Sequence, residues 1–235
     1  MKHMLNYLII DALIISFPLL FSFTWKIKYY KNFKPLFTSI FIVGTIYILW
    51  DALVTYRGDW WFNHEYVTDL SIVGLPLEEI LFFITVPFAC IFIYENLTYF
   101  VKDKKVPYNK FAYFFIGGLF ILIGLAFRNQ DYTILAMFSC ALLFFIAAWR
   151  GKFMFSSRNY WLYMLLSFIP FIVFNYLLTS LIVVYYNPNA IWGIRVTTIP
   201  LEDFFYNYAM LSFYLLVYLY FKNKWSRNKI NTKAN

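Results

Sequence analysis

Seven stretches of predominantly apolar residues constrain this chain more than any other feature. They run over 5–24, 36–54, 76–97, 111–127, 132–148, 160–184 and 199–221, with few charges away from their ends. A helix that crosses a bilayer needs about 20 such residues. The alternating ten-residue segments of a transmembrane barrel do not appear. The first stretch is too long for a signal peptide and no A-x-A-like site follows it, so it is expected to stay in the protein. Only 14% of residues are charged and 62% are hydrophobic, whereas a soluble domain carries roughly a quarter charged residues. That composition argues against a cytosolic enzyme or a nucleic-acid binder. The expected fold class is an all-α integral membrane protein with seven transmembrane helices.

The net charge of +8 reads as topology. Lys2, Arg57, Arg128 and Arg195 are the only cations in one set of connections. The alternate set holds the other sixteen: four after the first stretch, four after the third, three after the fifth and five at the end of the chain. Such alternation puts the N-terminus outside and the C-terminus in the cytoplasm, in a multi-pass protein of the inner (plasma) membrane. Cys90 and Cys140 fall inside stretches and have no basic neighbour to activate them, so they read as packing residues. His3 and His64 lack ligand spacing, and no metal site is expected.

A shift of 124 residues lays the second half of the chain on the first without a gap. Trp25 then meets Trp149, Lys28 meets Lys152, Thr55 meets Thr179, Asn63 meets Asn187 and Tyr94 meets Tyr218. The triplet Pro76-Leu77-Glu78 falls on Pro200-Leu201-Glu202, and Glu79 on Asp203. Stretches one to three therefore correspond to five to seven, and the fourth is a connector. The expected architecture is a parallel 3+1+3 duplication about an axis along the membrane normal. Its units are residues 1–107, a connecting helix at 108–127, and residues 128–235.

The duplicated segment carries the chemistry. In both copies a proline opens a helix and two acids follow in its first turn, Glu78-Glu79 and Glu202-Asp203. A single copy is accounted for by helix-end preferences; two copies at one depth argue for a site. Neighbouring helical residues point about 100° apart, so one acid of each pair faces the bundle and the other faces sideways. Asp51, near the end of the second stretch, reaches the depth of Glu78, and Asn175 holds the equivalent place beside Glu202. Ionisable residues inside membrane spans are costly and mark function. Carboxylates clustered in low dielectric leave at least one protonated at neutral pH, a general acid beside a carboxylate. Trp50, Phe82, Phe83, Phe205 and Tyr206 surround these positions, with Asn207 beside them. Aromatic faces next to a proton donor suit a carbocation. Trp60 and Trp61 read as an interfacial belt.

At these residues the sequence resembles the lycopene cyclase domain family. The resemblance rests on G-L-P-L-E-E-x-L-F-F at 74–83, P-F-A-C-I-F-x-Y-E at 87–95, T-I-P-L-E-D-F-F-Y-N at 198–207 and the Trp50-Asp51 pair. It runs from the first stretch to the last and is similar to the fused form of a two-subunit cyclase, so no obligate second subunit is expected. The resemblance implies a lycopene β-cyclase, closing the acyclic ends of lycopene to β-ionone rings through γ- to β-carotene. Glu78 and Glu202 are expected as the acids, Glu79 and Asp203 as base or electrostatic partners, and Asp51 as a tuning residue. The other named residues would line the substrate. No flavin-binding glycine motif follows a strand, and no cofactor is expected for a redox-neutral isomerisation. Lycopene or a related carotenoid in the bilayer and membrane lipids are the expected partners. A cyclase of longer carotenoids giving other rings is the nearest alternative. A 3+1+3 transporter would carry its polar residues at the midplane, whereas here they crowd one end. The seventh stretch lacks the Lys of a retinal protein.

Overall fold

The computed structural model describes residues 6–234. Lys2 and His3 lie outside the described residues, as do the side chains of Arg227, Lys229 and Lys233. The helices are α1 (Asn6–Thr24), α2 (Phe33–Arg57), α3 (Leu77–Phe100), α4 (Lys110–Ala126), α5 (Asp131–Arg150), the single turn α6 (Lys152–Phe155), α7 (Arg158–Ser180) and α8 (Leu201–Ala234). Six of them are long and apolar enough to cross a membrane, and the protein is membrane-embedded; α4 is apolar but shorter. Two-stranded ribbons occupy the loops at one end: β1 (Trp60–Phe62), β2 (Ser71–Ile72), β3 (Leu75–Pro76), β4 (Val184–Tyr186), β5 (Arg195–Val196) and β6 (Ile199–Pro200). The fold is thus mostly helical rather than wholly so. The sixth stretch, expected as helix to residue 184, stops at Ser180, and Ile182 turns the backbone at φ +56° into β4.

Gly58 ends α2 in the left-handed conformation, its N–H reaching the carbonyls of Thr55 and Val54, a stop that favours glycine. Pro76 stands just before the first turn of α3 rather than inside it. The hairpin β2–β3 pairs Ser71 with Pro76 and Ile72 with Leu75. The hairpin β5–β6 repeats that register 124 residues later, pairing Arg195 with Pro200 and Val196 with Ile199.

The two repeats join about a pseudo-two-fold axis. Strand β1 pairs antiparallel with β4, its own counterpart, placing Trp61 opposite Tyr185. Flanking bonds come in matched pairs: Asn63 N–H to the Val183 carbonyl at 2.9 Å, and Asn187 N–H to the Asp59 carbonyl at 2.8 Å. Within the repeats α1 packs on α3 and α5 on α8; between them α2 packs on α8 and α7 on α3. Each middle helix therefore leans on the other repeat, which ties the halves into one core. Helix α4 runs from the basic end back to the ribbon end along α5, where Gly117 and Gly124 face the rings of Phe145 and Phe138. Glycine at such contacts lets helices approach where apolar burial cannot drive them together.

Candidate functional site

The first turns of α3 and α8 meet at the ribbon end. Tyr7, in the first turn of α1, donates its phenol to Glu79 Oε2 at 2.6 Å. Tyr132, in the first turn of α5, donates to Asp203 Oδ1 at 2.7 Å. Asp203 Oδ2 also accepts from Asn175 Nδ2 and from the Tyr186 phenol, both at 2.8 Å. Burial and the adjacent Asp203 carboxylate hold the Tyr186 phenol well above its usual range, so it remains a donor.

These groups line one chamber of about 70 Å³. Glu79 and Asp203, Asp51 and Asn175, Phe82 and Tyr206, and Phe62 and Tyr186 face it as pairs related by the repeat. The pseudo-two-fold axis therefore passes through the chamber, and both repeats contribute to its walls. The pairs are unequal. Where the second repeat has Asn175 and Tyr186 as donors to its acid, the first has Asp51 and Phe62. One half is a donor cage around a carboxylate; the other sets acid beside acid. Asp51, Glu79 and Asp203 all line this one chamber. Asp51 Oδ2, the Tyr206 hydroxyl and Asn207 Nδ2 are buried with no hydrogen-bond partner among the described residues.

Glu78 and Glu202, expected as the acids, do not line the chamber. Both are fully buried, and both clamp loops: Glu78 Oε1 accepts the Thr68 N–H at 2.8 Å. Glu202 Oε1 accepts the Trp192 N–H at 2.5 Å and the Thr133 hydroxyl at 2.7 Å. The rotation of about 100° per residue accounts for this split, and the packing of α1 and α5 assigns the inward face to Glu79 and Asp203. Among the other expected residues, Phe82, Asn175, Tyr206, Asn207 and Asp51 line the chamber. Trp50 stacks on Tyr47 behind Tyr206, and Phe83 is buried in the helix core. Phe205 turns to Phe120 and Trp192 on the α4 side. Trp60 corrects the belt expectation. It is buried in the chamber wall against the Tyr132 ring at 4.7 Å, while Trp61 is exposed.

Sequence inspection missed Tyr7, Tyr132, Tyr186 and Asp11. Tyr7 and Tyr132 are 125 residues apart, so the ungapped offset of 124 hides their equivalence. Their backbone N–H groups nonetheless reach the equivalent carbonyls of Tyr66 and Ala190. Asp11 lies one turn beyond Tyr7 on α1, buried, accepting from Thr85 at 3.1 Å. An acid within the first apolar stretch was a visible signal.

A second, larger cavity of about 720 Å³ opens from the chamber as a groove between α1, α3 and α7. Phe82, Phe171, Asn175 and Asn207 belong to both. The remaining walls are almost wholly hydrocarbon. Such a site can admit an extended apolar molecule, present acids to its tip, and surround a cation there with aromatic faces.

Two stretches of the chain, residues 5–97 and 129–221, match the family model described as lycopene cyclase. Their bounds are offset by the 124 residues that relate the two repeats. No curated protein matches the chain, and no solved structure does.

Proposed function

The chain belongs to the lycopene cyclase family, and from that premise we propose that it closes the ends of lycopene to β-ionone rings, giving γ- and then β-carotene. One observation carries the reading: the acids of both repeats converge in a single aromatic-walled chamber that an apolar groove enters.

The Asp51–Glu79 pair is the proton donor. Two carboxyls lining one apolar chamber cannot both carry a charge cheaply, so one of them keeps its proton. That proton goes to C2 of the terminal double bond, leaving a cation at C1. The C5=C6 bond attacks through C6, moving the cation to C5. Loss of the C6 proton to the same pair forms the new double bond and restores the acid. Atoms and charge balance without a redox partner. Asp203, accepting three donors, is the fixed counter-charge, since hydrogen bonds to charged acceptors are the strong ones. Phe82 and Tyr206 offer ring faces to the cation. Glu78 and Glu202 hold the loops at Thr68 and Trp192 rather than touching substrate.

The protein acts as a multi-pass protein of the inner membrane, with α4 as the seventh span of a 3+1+3 duplication whose units are 1–107, 108–127 and 128–235. Its N-terminus is outside and its C-terminus cytoplasmic, and one chain suffices because both repeats are fused. Lycopene reaches it within the bilayer. Expression in a lycopene-accumulating bacterium, with pigments separated by chromatography, tests the reading. Ring-bearing carotenoids are expected, and persistent lycopene beside membrane-inserted protein overturns it. A product with ε-rings would keep the cyclase and reject the assigned proton loss.

A further inference from the structure

The repeats share a backbone plan but leave different spaces open. The groove between α1, α3 and α7 is walled in part by Phe171, Phe174, Phe82 and Cys90. The 124-residue relation carries these positions to Tyr47, Trp50, Tyr206 and Tyr214, between α2, α5 and α8. There the space is filled. Tyr47 and Tyr214 are almost fully buried. Tyr47 stacks on Trp50 at 5.8 Å, meets Tyr206 edge-on at 5.3 Å and lies beside Tyr214 at 6.4 Å. Their hydroxyls are tied down, Tyr47 to Ser139 at 3.1 Å and Tyr214 to the Phe83 carbonyl at 3.1 Å. Four large, packed and partly hydrogen-bonded side chains do not open to admit a chain.

The open groove is long. From Phe82 at the chamber to Phe100 at the basic end, α3 rises about 27 Å at 1.5 Å per residue, close to the roughly 30 Å of a bilayer's hydrocarbon core. No carboxylate lines the far end among the described residues. Glu95, at that depth on α3, turns away to Asn32, Tyr218 and Lys222. The groove is open along its length, where Phe17 and Leu166 are 60% and 38% exposed.

On the cyclase reading, which this deepens, we propose that the linear carotenoid lies lengthwise in this one groove with a single end in the chamber. Each docking closes one ring. The second ring requires the monocyclic product to leave sideways into the lipid and return end for end. Its finished ring then sits at the far mouth beside Trp25 and Phe100, so that this mouth sets whether the product is monocyclic or bicyclic.

The test uses membranes carrying the full chain and vesicles loaded with lycopene. Deuterium-labelled γ-carotene is added in excess during turnover, and the bicyclic product is analysed by mass. Labelled product in proportion to the labelled pool is expected. Bicyclic product drawn only from unlabelled lycopene would overturn the proposal. A second arm uses Cys90→Tyr, which copies the filled side at Tyr214. A tyrosine ring there takes up groove volume that the carotenoid needs, and forcing both into it is overpacking, so ring formation and carotenoid retained per chain should each fall about tenfold or more. Full activity and retention in a folded Cys90→Tyr protein would remove the groove assignment while leaving the cyclase reading intact. Carotenoid retained by the wild type and lost in the variant, with no ring formed by either, would keep the groove and reject the cyclase.

Discussion

Tyr132 donates its phenolic hydrogen to Asp203 at 2.7 Å, the same bond that Tyr7 makes to Glu79 at 2.6 Å. These two bonds select, from each pair of adjacent acids, the one that faces the chamber. The selection has measurable consequences for turnover.

Glu79→Gln removes one carboxyl of the proposed donor pair while keeping its shape. Ring formation should fall by about a hundredfold or more, the usual range for a positioned acid. Chromatography of pigments at matched protein level measures it. Glu78→Gln keeps the Oε1 acceptor for Thr68 and should cost far less. A reversed order would return the acid role to Glu78.

Tyr186→Phe deletes one of three donors to Asp203 and copies Phe62 of the first repeat. Hydrogen bonds to charged groups contribute about 1.5–3 kcal/mol, so a loss of roughly ten- to hundredfold in turnover is expected. The phenol is raised above its ordinary value by burial and by Asp203. It therefore stays protonated as pH rises through the usual tyrosine range near 10. Wild-type and Tyr186→Phe rate profiles should then be parallel there, and a limb present only in the wild type would contradict this environment.

Gly117 and Gly118 are neighbours on α4 with opposite surroundings. A Cβ at Gly117 would lie 2.7 Å from the Phe145 ring, while one at Gly118 meets nothing within 4 Å. Gly117→Leu should destabilise by about 1–3 kcal/mol through overpacking. Gly118→Leu should be neutral or stabilising, because glycine within a helix costs about 1 kcal/mol. Thermal unfolding of the two variants in detergent separates them.

Reporter fusions check the orientation. A fluorescent protein that folds only in the cytoplasm should shine at the C-terminus and in the connection after Val101. It should stay dark in the β1–β2 connection near His64. Fluorescence at His64 would invert the topology.

Much of this was legible in one dimension. Each apolar stretch became a helix that begins within a few residues of its expected start, because a chain entering hydrocarbon must close its backbone hydrogen bonds within the segment. The 124-residue offset reappears in β2–β3 against β5–β6, since hairpin register follows from local turn spacing. Asp51, Asn175, Glu79 and Asp203, which line the chamber, are legible because acids and amides at equivalent depth stand out among apolar neighbours. Asp11 stands out in the same way, an acid inside the first apolar stretch.

Linear pattern alone was enough to specify a membrane protein built twice from one three-helix unit, with acids gathered at one end. Which acid of each pair turns inward was settled by packing in three dimensions. A single residue of helix rotates a side chain by about 100°, and its phase is fixed by Tyr7 and Tyr132 on other helices. Packing also merged two motifs into one chamber, by pairing β1 with its own counterpart β4. It left one groove open and its twin closed because Tyr47 and Tyr214 fill the second. Groove width depends on three helices meeting across a hundred residues or more of sequence, a sum of volumes that no local pattern records.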